Sequence, residues 1–407
     1  MAAAVLPLIT APILGRIYLP AEYALLASYL AVVHLTSAVS TLGYQNGIVT
    51  ESSLERAFGT AWISILSVAV FSIVSIPVGI VILAFGPYES NGLWFLLLPL
   101  STAVTGISLV SMAVANRATQ YRSISLMLLG SASVSTFLSI VLGLAEFAAS
   151  GLMIAQIGGQ LVTIGFSAVI LHRNRVWASR PNVLRLRRLI IRHRGFLRFT
   201  TPATLIFSAV QHLPVLALTS LGAMSFLGSF SRARQILSLP TTVLSLPIQR
   251  IYFQRASEEY TLTGTCRPLF WRTLALLVAL TLPMTLLLLV FGEELFVFYL
   301  GPNWDVAGRL ASTLSVMVAL QTVALPLMSS MHFKRNQRYF LLVQSLNLIA
   351  AGLACAGPWL FGAGAEALII LWMCAQSLSA VIQIGAGWKF SRHAVGLPLA
   401  PFSRNYR

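Results

Sequence analysis

Two arginines, Arg232 and Arg234, stand inside an apolar run at residues 225–252. A guanidinium at the centre of a membrane helix costs about 2.5–3.5 kcal/mol to insert, so two centred there would need about 5–7 kcal/mol offset by partners or an anion. Arginine presents five donors in a planar fork that fits phosphate and carboxylate oxygens. The chemistry that suits this pair is therefore anion holding rather than bond making. Residues two apart on an α-helix lie about 200° apart. The expectation is that the two do not share a face, one lining a cavity while the other reaches outward along the helix. The alternative places both in the outer interface of a long helix. Arg16 ends the first apolar run, as an interfacial anchor or a further cavity cation. Gln45 and Asn46 lie deep in the second run, Gln211 and His212 in the seventh. They suit either bonding between helices or the lining of a polar path. The same two readings hold for Gln156, Gln160, Gln321, Gln344, Asn347, Gln376 and Gln383, and His34 and His212 can titrate.

Other chemistry is missing. All eleven acids sit near the ends of apolar runs or between them. No pair of carboxylates is placed for acid–base work, no His/Cys/Asp cluster has metal spacing, and no GxxxxGK[ST] loop occurs. The expectation is a protein that is not an enzyme, with no metal and no cofactor. Cys266, Cys355 and Cys374 read as small packing residues.

The elements that position these groups follow from composition. Of 407 residues, 57% are hydrophobic and 9% charged, against about 25% charged in soluble domains. Mean hydropathy is +0.83. This excludes a soluble globular protein, a disordered chain and a disulfide scaffold. The net charge of +16 is not interleaved with aromatics on a water-facing domain, so nucleic acid is excluded as a partner. Apolar runs lie near 1–14, 24–50, 59–86, 93–116, 123–145 and 147–171, then near 199–222, 225–252, 273–292, 306–332, 339–362 and 366–388. A run of about 20 apolar residues spans a bilayer as a helix. Leu274 to Leu280 does not alternate as a barrel strand would. The expected fold is all-α, a polytopic membrane protein with about twelve transmembrane helices in two six-helix bundles, 1–171 and 199–390. A basic linker, 172–198, joins them, and 391–407 forms a tail.

Charge sets orientation. With the N-terminus cytoplasmic, 23 of the 27 basic residues fall inside and only Arg16 and Arg309 outside. Glu22, Glu89, Glu146, Glu293, Glu294, Asp305 and Glu366 fall outside. Both termini are thus expected in the cytoplasm. The first run has no basic start and contains Pro7 and Pro12, which favours a short first helix over a signal peptide. Prolines inside other runs, Pro77, Pro99, Pro202, Pro214, Pro240, Pro247, Pro283 and Pro326, are either tolerated kinks or bending points. Residues 12–52 can be laid over 214–254, a repeat of the kind transporters carry. Residues 182–199 mix leucine and isoleucine with arginine, which suits a helix lying on anionic lipid as well as a topology determinant.

The stretch Pro12-Ile13-Leu14-Gly15-Arg16-Ile17-Tyr18-Leu19-Pro20-Ala21-Glu22-Tyr23 resembles the P-x-L-x-R-x-x-x-P-x-x-[YF] start of bacterial polysaccharide flippases, the Wzx-type lipid-linked oligosaccharide translocases of the MOP (MATE-like) superfamily. Thr41 to Val49 is similar to the end of their second helix, and Gly228 to Pro240, followed by Phe253 to Glu258, to their eighth. The resemblance implies a MOP/MATE-like fold in a bacterial inner (plasma) membrane. It implies a flippase that moves an oligosaccharide on polyprenyl pyrophosphate from the inner to the outer leaflet by alternating access, for an exported surface polysaccharide such as an exopolysaccharide or O-antigen. Arg16, Arg232 and Arg234 would neutralise the pyrophosphate, and Gln45, Asn46, Gln211 and His212 would contact the glycan. Polysaccharide polymerase or ligase partners are implied, and anionic lipids at the basic linker are expected. An anionic headgroup moving outward gains about 2.3 kcal/mol per charge per 100 mV of inside-negative potential. With no central carboxylate, transport is expected to run on potential without obligatory proton binding. The rival readings are a MATE-like drug/cation antiporter, which would want an acid in its cavity, and a membrane-embedded glycosyltransferase or polymerase, which would want a carboxylate by an outer loop, where Glu89 and Asp305 stand.

Overall fold

In hydrocarbon every peptide group must be satisfied within the protein, and a helix does this inside a single run. All regular structure among the described residues is accordingly helical. The structure, a computed structural model, describes residues 2–51, 53–176, 182–241, 245–332 and 337–391. The expected tail therefore lies outside the described residues from 392 onward, as does part of the linker, 177–181. The first half comprises α1 (Ala2–Ile9), α2 (Ala11–Ile17), α3 (Pro20–Ser40), α4 (Tyr44–Thr50), α5 (Leu54–Phe85), α6 (Leu98–Arg117), α7 (Tyr121–Leu144) and α8 (Ala148–Arg173). The linker helix is α9 (Val183–Arg192). The second half comprises α10 (Thr201–Ser220), α11 (Met224–Pro240), α12 (Leu246–Thr263), α13 (Arg267–Leu300), α14 (Asp305–Leu327), α15 (Gln337–Leu360) and α16 (Ala365–Ser391).

Nine helical stretches among the described residues are long and apolar enough to cross a membrane. The other three expected spans are interrupted or short. The first breaks at Thr10 between α1 and α2, and the apolar part of α15 is Leu342–Gly357. The eighth is not one run: α11 ends at Pro240 and α12 resumes at Leu246. The second span also ends earlier than its hydropathy suggests. Gly43 takes a left-handed conformation, φ +71°, open to glycine at no steric cost. It separates α3 from the short α4 and moves Gln45 and Asn46 out of the span.

Within the first half α7 packs on α8, α5 on α6, and α6 on α8. Within the second α13 packs on α14, α15 on α16, and α14 on α16. The halves meet where α3 lies against α10 and α11, and α2 against α13. One end of the molecule gathers the turns at 18–19, 145–147, 221–223 and 301–304; it is termed the outer end, after the orientation expected from charge. The largest core cluster sits at this outer end and draws on both halves, with Leu14, Tyr18 and Tyr23 beside Leu218, Phe230, Leu300 and Trp304. Trp304 Nε1 donates to the Gly15 carbonyl at 2.7 Å, and the hydroxyls of Ser28 and Thr219 lie 2.8 Å apart.

At the opposite, inner end the linker is fastened to the first half. The Glu51 carboxylate, 2% exposed, lies 3.2 Å from Arg192 Nε, 2.9 Å from His193 Nε2 and 3.4 Å from Arg56 Nε. Leu189 of α9 is buried with Tyr44 and Ile63. The outer face of α9 leaves Leu184, Ile190 and Ile191 exposed beside Arg187 and Arg188.

The crossing of α3 and α11 needs Gly228. A Cβ there would sit 1.6 Å from the Pro20 carbonyl oxygen. Replacing Gly228 by Ala should lower the thermal midpoint of the purified protein, an overpacking cost of about 1–3 kcal/mol. An unchanged midpoint would contradict this crossing.

Candidate functional site

Between the halves lies a cavity of about 560 Å³. Its walls are residues of α1 to α3, α7 and α8 on one side and of α10 and α11 on the other. Tyr23, Leu30 and His34 come from α3, Ser135 and Ser139 from α7, Gln156 from α8, His212 from α10, and Ser231, Arg232, Arg234, Gln235 and Ser238 from α11. No acid lines it.

Both arginines reach this cavity, contrary to the expectation that one would turn outward. The helical offset is real, but α11 runs along the joint of the halves, with α3 on one flank, α10 and α14 on others, and Trp372 of α16 edge-on to its Phe230. Each face of the helix therefore looks into protein. Arg232 turns to the first half, its Cζ 4.8 Å from the centre of the Tyr23 ring. Arg234 turns to the second half, its Cζ 5.2 Å from the Trp372 ring. Both contacts are cation–π geometry.

The two differ in how they are satisfied. Arg234 donates from Nη1 to the Gln211 carbonyl at 2.5 Å and from Nη2 to Gln211 Oε1. Arg232 is 4% exposed and donates only from Nη1, to Gln235 Oε1 at 2.8 Å. Its Nε and Nη2 have no hydrogen-bond partner among the described residues, nor do the neighbouring Tyr23 hydroxyl and Ser231 hydroxyl. A buried donor left without a partner costs about 1–3 kcal/mol, and more when charged. An Nε and an Nη on one edge of a guanidinium form the fork that takes two oxygens of one anion.

The remaining candidates fall elsewhere. Gln211 stands behind Arg234 as its partner, and His212 lines the cavity. Arg16 is not in the lining. Its Nη1 donates to the Pro12 carbonyl at 2.9 Å and the Tyr299 carbonyl at 3.4 Å, and its Nη2 to the Phe298 carbonyl at 3.1 Å. It thus ties α2 to the last turn of α13, whose free carbonyls attract a cation. Gln45 accepts from Thr41 Oγ1 at 2.5 Å, and Asn46 is exposed at the inner end, so neither lies at the cavity. Gln376 bonds Asn347 at 3.0 Å and Gln160 accepts from Ser101 at 2.8 Å, as interhelical links. Tyr23, Ser231 and Gln235 entered the sequence reading only within the stretches that carry the family resemblance, not as site residues. The last two flank the arginines on α11, and that proximity was the available signal. Nothing in sequence placed Tyr23 against Arg232.

The two guanidiniums predict opposite responses. Arg234→Met strands the acceptors of Gln211 and should lower the thermal midpoint, by about 1–3 kcal/mol. Arg232→Met removes an unpaired buried charge and should leave the ligand-free protein as stable or more so. Equal losses in both would contradict the difference in partnering.

A family model described as polysaccharide biosynthesis protein matches residues 13–309. No curated protein matches the chain by sequence. Among solved structures it is similar to the inward-facing conformation of a multidrug resistance MATE family transporter of the MOP superfamily, at TM-score 0.67 and 13% identity, covering 95% of this chain and 94% of that one. It is similar to a MOP superfamily transporter from Pyrococcus furiosus, at TM-score 0.54 and 12% identity over 96% and 88%. The MATE transporter ClbM in complex with Rb+ aligns at TM-score 0.53 and 15% identity over 97% and 90%. At these identities the likeness shows the fold.

Proposed function

The chain belongs to the polysaccharide biosynthesis protein family and has the fold of MOP superfamily transporters; from that premise we propose that it flips a polyprenyl-pyrophosphate-linked oligosaccharide from the inner to the outer leaflet. The observation that carries this reading is Arg232, a buried guanidinium of a residue that lines an acid-free cavity, with two donors left without a hydrogen-bond partner among the described residues. A diphosphate fits that fork, and its negative charge offsets the cost of burying the cation. Tyr23 and Ser231 supply neutral donors beside it. Ser135, Ser139 and Gln156 offer hydroxyl and amide groups for sugar hydroxyls across the cavity. The tail stays in lipid while the headgroup crosses, and rocking of the halves alternates access. Arg16, held by carbonyls of α13, acts as an outer clamp in this scheme rather than as a headgroup ligand. The setting is a bacterial inner membrane with both termini cytoplasmic, and a polymerase or ligase downstream completes the exported glycan. A drug/cation antiporter would want an acid where this cavity has arginines.

The linker helix α9 rests on anionic lipid through its exposed arginines, with its apolar residues in the interface. In nanodiscs, residues 183–192 should exchange amide hydrogens more slowly with anionic than with zwitterionic lipid. Equal exchange would remove the lipid contact.

Deleting the gene and labelling the lipid-linked sugar leaflet by leaflet tests the function. Build-up on the inner face, relieved by the wild-type gene but not by Arg232→Met, is the expected result. Short glycans still exported would point to a polymerase, and no change in leaflet distribution would refute flipping.

A further inference from the structure

The chain places no carboxylate in the middle of a span, so its sequence offers no obvious proton site. The fold builds one from two imidazoles of opposite halves. His34 of α3 and His212 of α10 stack with ring centroids 5.0 Å apart and planes 14° from parallel. Both line the cavity that holds Arg232 and Arg234. Neither ring has a hydrogen bond to protein among the described residues. Their nitrogens are thus not spent on bonds between helices, the usual fate of a histidine there. The backbone beneath them is pinned, because Ser208 Oγ of α10 donates to the His34 carbonyl at 3.3 Å.

The surroundings decide what such a pair can do. The charged or titratable groups facing it across the cavity are Arg232 and Arg234 on α11 and Tyr23 on α3. His212 feels the charges of both His34 and Arg234. The residues of α1, α2, α7 and α8 in the cavity wall are apolar, hydroxyl or amide. Other helices packed on α3 and α10 carry their charges near their ends: Glu55 and Arg56 on α5, Arg117 on α6, Arg173 on α8, Arg338 on α15, and Glu366 and Lys389 on α16. Glu89 opens the 3-10 turn before α6, and Arg198 lies in the turn before α10. The thiols are Cys355 on α15 and Cys374 on α16. With no anion present, an imidazolium here would face two fixed cations and a second imidazole. A diphosphate seated on Arg232 reverses the local field, and an opposite charge nearby favours the protonated ring. Two imidazoles at this spacing share one added positive charge far more readily than two.

We infer that His34 and His212 together take up one proton when the anionic headgroup binds, so that the lipid-linked substrate crosses as a proton complex. This rests on the headgroup reading of Arg232. It replaces the expectation of transport on potential alone, since each proton carried removes one negative charge from the load that the potential drives. Binding and protonation are reciprocal by linkage, so one proton gives about a tenfold change in headgroup affinity per pH unit.

The test is calorimetric titration of the full-length protein in nanodiscs with farnesyl pyrophosphate, near neutral pH, in buffers of different ionisation heat. The buffer dependence counts protons taken up, including those of the probe itself. The wild-type protein should take up about one proton more than the His34→Gln/His212→Gln variant. The single variants His34→Gln and His212→Gln guard against a fold defect in the double. Binding with the same proton count in wild type and all three variants overturns the proton site and leaves the headgroup reading standing. Absence of binding by the wild-type protein overturns both.

Discussion

The protein keeps a guanidinium in an apolar interior without enough partners for it. Arg232 gives one hydrogen bond to Gln235 and leaves Nε and Nη2 buried with no hydrogen-bond partner among the described residues. Such an arrangement costs free energy in the ligand-free state, so the fold must hold it in place. It does so by fixing α11. Gly228 brings that helix onto Pro20 of α3 closely enough to exclude any side chain, and Tyr23, one turn further along α3, lies against the guanidinium. Removing water and withholding partners leaves the site able to reward an anion with a strong paired interaction. Arg234 shows the alternative, a cation satisfied by Gln211 and so committed to joining α10 and α11.

Under the proposed flippase reading, the same geometry states what must change. The outer end is closed by contacts between halves: Arg16 on the carbonyls of α13, Trp304 on Gly15, and Ser28 against Thr219. These hydrogen bonds and glycine-mediated approaches sit within the largest apolar cluster, which itself draws on both halves. The inner end is tied differently, through one buried carboxylate. Glu51 gathers Arg56, Arg192 and His193 and so fastens the linker helix to the first half. In the proposed flipping cycle, the outer set parts while the linker follows the first half.

Much of the architecture was legible because hydrocarbon imposes it. Apolar runs pointed to the helices, and Arg232 and Arg234 stood out because charge is rare at depth. The misreadings have physical causes. Gln45 and Asn46 looked buried by hydropathy, yet Gly43 ends the helix before them and puts them at the inner end. Arg16 was open by sequence between an anchor and a cavity cation, and the open carbonyls at the end of α13, far off in sequence, hold it. The outward turn expected of one arginine assumed a helix with a lipid face, whereas α11 is surrounded. Glu51 and the His34–His212 stack were invisible because each depends on residues brought together only by tertiary contact.

The most direct test of the account is an experimental structure with a polyprenyl pyrophosphate bound in nanodiscs. It predicts phosphate oxygens within hydrogen-bonding distance of Arg232 Nε and Nη2, with the prenyl chain leaving toward lipid. Phosphate seated elsewhere, with the Arg232 guanidinium bonded to protein carbonyls instead, would contradict it.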